Sequence, residues 1–231
     1  GETYVAHLHA TEALGRLRGG VAPSVVAAGD DRRGPYLVTT VAPGSPLASV
    51  DLGEASDVRE AAVAHVLLAI AAVHAAGIVH GDVSPSNVLV RGATVTLVDF
   101  ALARFPAAPE GEGAPATGRF RGTLLYAAPE VARGEAATYA SDVFSAAAAL
   151  LHVLTGRPPR RARGLAAGLL EAAEEPVAPA LIAALAEAAP TLGPRLARAL
   201  AMEPGARPSA ASLAGEATLL LAERLRGSRG P

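Results

Sequence analysis

Three side chains in one short region have the types and spacing that phosphoryl transfer requires. In His80-Gly81-Asp82-Val83-Ser84-Pro85-Ser86-Asn87, Asp82 is placed to orient or deprotonate a hydroxyl. Asn87, five residues on, is placed to hold a magnesium ion from the same loop. Val98-Asp99-Phe100 follows a short hairpin pattern, and Asp99 is placed to hold the metal that bridges the phosphates. The matching feature is an absence. All 20 basic residues are arginine, so no lysine in the chain can grip a nucleotide phosphate.

These residues need elements to hold them. Residues 5–18 read as a helix, and Val21–Ala28 and Tyr36–Val41 as strands around a Gly29–Gly34 turn. Ala42-Pro43-Gly44-Ser45-Pro46 is a breaker and a hinge. A helix is predicted from about Asp57 to Ala76, with Asp57 and Glu60 as its N-terminal cap. Val88–Val90 and Thr94–Val98 form a hairpin pattern, and residues 105–118, without a period, predict a mobile loop. Ser141–Leu154 reads as an apolar helix, and 164–226 as helices broken at prolines.

With 231 residues, 51 % hydrophobic and 18 % charged, the chain is globular and large enough for a buried core. A net charge of −2 argues against a nucleic-acid partner. There is no cysteine, hence no disulfide framework or thiolate metal site, which fits a cytoplasmic setting. The run Ala61–Val79 approaches membrane-spanning length. It is mostly alanine and carries His65, His74 and Gly77, so it reads as a buried helix and not a membrane segment.

From about residue 10 to 213 the sequence resembles the eukaryotic-type serine/threonine protein kinase family. His80, Asp82 and Asn87 match the family's H-R-D-x-x-x-x-N loop, and Phe100-Ala101 stands where the family has Phe-Gly. Gly122-Thr123-Leu124-Leu125-Tyr126-Ala127-Ala128-Pro129-Glu130 matches the end of the activation segment. Asp142 matches the helix aspartate that buttresses the catalytic loop, and Thr155-Gly156 and Arg207-Pro208-Ser209 follow in family order. The resemblance implies an α+β kinase-like fold, with a partial small lobe over 1–42 and a mainly helical large lobe over 43–231. It implies Asp82 as base and Asn87 and Asp99 as Mg²⁺ ligands. ATP would sit on Leu89 against the backbone of Thr40, Val41 and Ala42. His80 and Phe100 are implied to be structural, as is a buried ion pair between Glu130 and Arg207. The partner would be a protein substrate or a regulatory protein.

The family pattern also breaks. There is no glycine-rich loop; Gly111-x-Gly113 lies between Asp99 and Glu130 and belongs to the activation loop. Ala10 falls where the family's ion-pair glutamate stands, and Glu12 is about 200° away around the helix. His7 reads as a surface or capping histidine ahead of a lysine substitute. Ser84 replaces the lysine two residues past the base, and a hydroxyl cannot supply its positive charge. Gly81 in place of the family's arginine implies that phosphorylation of Thr117 or Thr123 is not needed to order the loop.

His65 and His152 read as satisfied core histidines, and Arg160–Arg163 as a solvated loop. Two alternatives remain beside a weak or truncated kinase. One is a pseudokinase acting as a nucleotide- or protein-binding scaffold. The other is a small-molecule phosphotransferase resembling aminoglycoside and choline kinases, which share H-G-D-x-x-x-x-N.

Overall fold

The computed structural model describes residues 2–106, 123–161 and 164–227, with side chains from residue 8 onward apart from those of residues 225 and 227. The predicted loop from residue 107 on, with Gly111, Gly113 and Thr117, lies outside the described residues. So do Gly122, Ala162 and Arg163, and the His7 side chain is outside them as well. The first element is helix α1 (Glu2–Arg16), where Ala10, Ala13 and Leu14 are buried. It ends where Arg18 Nη1 donates to the carbonyls of Gly15 and Leu17.

Strands β1 (Val25–Asp31) and β2 (Gly34–Thr39) form an antiparallel hairpin shifted from the predicted bounds. The shift has two causes. Val21 is buried, and its carbonyl accepts the Leu97 N–H at 2.8 Å, so it belongs to a connection and not to a strand. At the other end, Asp31 Oδ1 accepts the Arg33 N–H at 2.7 Å, which closes the turn later than Gly29.

A three-stranded sheet, ordered β3-β4-β5, joins the segments that bear Asn87, Leu89 and Asp99. Strands β4 (Val88–Arg91) and β5 (Thr94–Leu97) pair in register Val88↔Leu97. Strand β3 (Ser45–Pro46), part of the breaker segment in the sequence, pairs with Val90 and Leu89. The chain can come so close because of Gly44. Its φ is 113°, and a Cβ there would lie 2.7 Å from the Val90 carbonyl oxygen. The hinge is thereby pressed against the strand that bears Leu89.

Helix α2 (Ser56–Ala75) is the one helix among the described residues with the length and mean hydropathy (1.5) of a membrane span. Val63, Val66, Leu67, Ile70 and Val73 are instead buried, and α2 packs against the two helices α4 (Tyr139–Thr155) and α8 (Ala210–Gly227). The expected cap is absent. Ala55 is the N-cap with no side-chain bond, and Glu60 is fully buried. Its carboxylate accepts the N–H groups of Thr191 (2.7 Å) and Leu192 (3.0 Å). A distant pair of unsatisfied donors outcompetes the local cap.

Helix α4 begins with a capping box between Thr138 and Ser141 and buries Phe144, Leu150 and Leu151 completely. The short helix α3 (Pro129–Ala132) precedes it. Helices α5 (Leu165–Glu174), α6 (Pro179–Ala188) and α7 (Gly193–Ala199) follow it. Helices α6 and α7 pack on α4, with Leu185, Leu192 and Leu196 in the core.

Candidate active site

The loop from His80 to Asn87 hangs from one buried carboxylate. Asp142 lies in the first turn of α4 and is only 2 % exposed. Its Oδ2 accepts the His80 N–H at 2.7 Å and its Oδ1 the Gly81 N–H at 2.9 Å. His74, in the last turn of α2, places Nε2 at 3.1 Å from Oδ2. Three donors and the positive end of α4 offset the burial of this charge.

His80 is fully buried and works in two directions. Its Nδ1 accepts the Asp82 N–H at 3.2 Å, so Nε2 carries the proton toward the Val98 carbonyl at 3.0 Å. The ring lies 4.6 Å from that of buried Phe100. One side chain thus ties the loop to the strand end from which Asp99 emerges. Gly81, at φ 81°, completes this junction: a Cβ there would stand 2.6 Å from the Leu102 carbonyl oxygen.

Asp82 and Asn87 meet directly. Asn87 Nδ2 donates to the Asp82 carbonyl (3.0 Å) and to Asp82 Oδ2 (3.2 Å). The Thr123 N–H donates to Asp82 Oδ1 at 2.8 Å, so the activation segment is fixed to the same carboxylate. Each Asp82 oxygen keeps acceptor capacity for a substrate proton. The Val98 N–H donates to the Asn87 carbonyl at 3.0 Å, and Asp99 is the next residue. Asp99 is exposed, has φ 63°, and among the described residues accepts only the Ala101 N–H, at 3.4 Å. Aspartate tolerates this left-handed backbone better than most residues.

The donor set suits a hard cation. With its nitrogen given to Asp82, Asn87 retains Oδ1, and Asp99 offers a carboxylate with one long bond. Among the described residues, no group of three or more His, Cys, Asp or Glu side chains could hold a metal without such help.

The nucleotide side is less furnished. Leu89 is half-buried between Pro46 and Thr96. Thr40 does not offer its N–H to a ligand: that group donates to the Ser24 carbonyl at 2.9 Å, and its hydroxyl accepts the Ser24 N–H at 3.0 Å. The β1 strand claims it because Ser24 continues the hairpin register. Val41 is 93 % exposed and Ala42 half-buried, and their backbone groups make no hydrogen bond among the described residues. Ser84 is 1 % exposed with an unpartnered hydroxyl, so it does not face a cleft. Glu12 pairs with Arg16 on the surface, while Ala10 is buried.

The end of the activation segment is bolted to the helical side. Glu130 and Arg207 form a buried bidentate pair at 2.6 and 2.8 Å. The Arg207 guanidinium lies 4.9 Å from the Phe144 ring centroid.

A profile of the protein kinase domain matches residues 30–215. The chain belongs to the protein kinase family. Within the family, the kinase domain is 40 % identical over 121 residues to serine/threonine-protein kinase PknD of Mycobacterium tuberculosis (strain CDC 1551 / Oshkosh), covering 50 % of this chain and 18 % of PknD. It is 43 % identical over 100 residues to serine/threonine-protein kinase PkaA of Streptomyces coelicolor, covering 42 % of this chain and 18 % of that protein. To serine/threonine-protein kinase PknL of the same Mycobacterium tuberculosis strain it is 36 % identical over 151 residues, covering 64 % and 37 %. The matched part of this kinase domain thus spans well under half of these relatives.

Sequence reasoning missed two supports. His74 stands six residues before His80, a spacing that carries no helical or strand signal across the α2 end. Arg160 belongs to a solvated loop by sequence, yet it is 4 % exposed. Its Nη1 donates to the carbonyls of Glu171 (3.0 Å) and Glu175 (3.1 Å), the C-terminal end of α5, and its Nη2 reaches the Ala127 carbonyl at 3.4 Å. Burial holds its pKa down to about 10, against the pull of Glu171 and Glu175. His152, a satisfied core histidine by sequence, shares a hydrogen bond between its Nδ1 and the Tyr126 hydroxyl, 2.7 Å away.

Proposed function

We propose that this chain is the catalytic part of a serine/threonine protein kinase that moves a phosphoryl group from Mg–ATP to a protein hydroxyl in the cytoplasm. The observation that carries this reading is Asp82, held by the Asn87 amide on one oxygen and the Thr123 N–H on the other. That arrangement couples the candidate base to the segment along which a peptide would lie. Asp82 orients the acceptor hydroxyl and takes its proton. Asn87 Oδ1 and the Asp99 carboxylate would hold Mg²⁺, which neutralises phosphate charge when bound. The backbone of Val41 and Ala42 would meet adenine above Leu89.

Thr123 already holds Asp82 through its backbone, so activity would not depend on phosphate at Thr123 or Thr117. No arginine pairs with Asp82, Asn87 or Asp99 among the described residues, and the chain has no lysine. Losing one such clamp removes about 2.7–4 kcal/mol of transition-state stabilisation. Turnover would therefore be slow.

That same deficit favours a second reading, a pseudokinase scaffold that binds nucleotide or protein without turnover. A small-molecule phosphotransferase has less support, because the Leu102 carbonyl accounts for Gly81 on packing grounds. Transfer of labelled γ-phosphate from ATP to a generic protein substrate, compared with Asp82→Asn, separates these. The expected loss is about two to four powers of ten. Equal labelling by both proteins would remove Asp82 from the chemistry, and nucleotide binding without transfer by either would establish the scaffold.

A further inference from the structure

A cavity of about 420 Å³ lies on the side of the helical core formed by the end of α2, the start of α4 and the start of α8. Its size falls in the range of small-molecule sites. Alanines, Val143 and Pro208 make most of its wall, and His74, Tyr139 and Arg207 contribute the large polar side chains. Asp82, Asn87 and Asp99 do not line it.

Two of these polar residues are the near ends of the braces described above. His74 shares Asp142 Oδ2 with the His80 N–H, and Arg207 holds Glu130. The wall has little to offer a charged guest. Each guanidinium nitrogen of Arg207 is engaged: Nε by the Ala201 carbonyl, Nη1 by Glu130 and Ala140, and Nη2 by Glu130 and Met202. Ser209 Oγ accepts the Ser212 N–H at 3.1 Å and carries no charge. A charged ligand would give up its hydration without gaining a counter-charge.

Two large side chains of the wall keep unused polar capacity: Tyr139, whose hydroxyl makes no hydrogen bond among the described residues, and His74. Nε2 of His74 faces the Asp142 carboxylate and takes the ring proton, which leaves Nδ1 as an acceptor. Nδ1 makes no hydrogen bond among the described residues, while the ring lines the cavity and lies 4.8 Å from the Tyr139 ring, tilted by 57°. A flat, uncharged aromatic body with a hydrogen-bond donor directed at Nδ1 fits these walls, and Tyr139, 37 % exposed, can keep its hydroxyl in water.

We propose that this cavity is an effector site for uncharged aromatic molecules carrying one hydrogen-bond donor, and that its occupant acts on the catalytic loop through His74 and Asp142. A donor on Nδ1 polarises the imidazole and strengthens the bond from Nε2–H to Asp142. The same carboxylate holds the His80 and Gly81 amides, so occupancy steadies the start of the loop. The effect can be no larger than the ligand's preference for the braced over the unbraced loop.

The probes are 2-naphthol, which donates a hydrogen bond, and 2-methoxynaphthalene, which cannot. Saturation-transfer NMR on the full chain measures binding, and residue-resolved amide exchange reads the loop. The expected results are roughly tenfold tighter binding of 2-naphthol and severalfold slower exchange at His80 and Gly81. Ala211→Phe puts a large side chain at an exposed cavity-lining position in the first turn of α8 and should weaken 2-naphthol roughly tenfold. Equal affinity for the two probes, undiminished binding to Ala211→Phe, or unchanged exchange at saturation would each overturn the proposal. If that variant does not fold, the two-probe comparison on the unaltered chain decides. No readout uses phosphoryl transfer, so the result stands apart from the activity proposed above.

Discussion

The two sides of this kinase domain are finished to different degrees. On the helical side, the catalytic loop is pinned by Asp142, His80 and Asn87, and the activation segment by Glu130 and Arg207, all of them buried or half-buried. On the hairpin side, Val26 is 63 % exposed and Val38 46 %, and α1 reaches the activation segment through an exposed Arg16 lying 4.2 Å over Phe105. The half of the site that would handle a hydroxyl is preorganised. The half that would handle phosphates has neither a cation nor a cover among the described residues. Orientation of an acceptor and neutralisation of a leaving group are therefore separable tasks in this fold, held by different contacts.

The contrast predicts very unequal costs for two superficially similar arginine substitutions. Arg207→Met leaves Glu130 buried at 3 % exposure without its partner and should cost about 3–5 kcal/mol. Arg16→Met removes a surface pair with Glu12 and a contact over one ring, and should cost about 1 kcal/mol or less. Urea unfolding of both variants measures the difference. Equal losses would mean that the hairpin side is as firmly built as the helical side.

The proximity of the three candidate side chains was legible in the sequence for a geometric reason. Asp82 and Asn87 sit in one loop, and the β4–β5 pattern brings Asp99 back beside it within a dozen residues. Short-range order of this kind survives in a linear reading. What was illegible is long-range. Glu60 resembles a local cap, but its partners stand 131 and 132 positions away. Arg160 resembles a charged loop until the end of α5 arrives with unpaired carbonyls. β3 exists only because β4 offers an edge, and two residues including a proline give no strand signal. In Thr40, likewise, the hinge position was visible while the competitor for its N–H was not.

The junction at Gly81 gives the next effect in size. Any side chain there must adopt φ 81° and displace the Leu102 carbonyl. Gly81→Ala should cost about 1–3 kcal/mol. It should also raise amide exchange at residues 80 and 81 well before global unfolding. A loss confined to global stability would place the strain elsewhere than in the loop.

A pH dependence should come from the end of the activation segment. Tyr126 and His152 share a hydrogen bond, and burial raises the phenol's pKa while lowering that of the imidazole. Unfolded histidine takes its proton near pH 6.5, about where the folded ring still resists it. The unfolded chain then binds more protons, so this contribution is complete above about pH 6.5 and is lost as the pH falls below it. Urea midpoints should drop between about pH 7.5 and 5.5. His152→Gln, which keeps an acceptor but does not titrate, should flatten that drop. An unchanged slope would assign it to other groups.

The smallest effect bears most directly on the deficit of the nucleotide side. Ser84 occupies the position where the family keeps a lysine, yet its hydroxyl is buried and unpartnered. If the side chain serves no phosphate, it only costs desolvation, and Ser84→Ala should raise stability by up to about 1 kcal/mol with transfer activity unchanged. If instead the hydroxyl finds a partner once nucleotide binds, the variant would bind Mg–ATP more weakly than the unaltered chain. Measured together, the urea midpoint and the nucleotide affinity tell whether this position has been surrendered to the core or still belongs to the cleft.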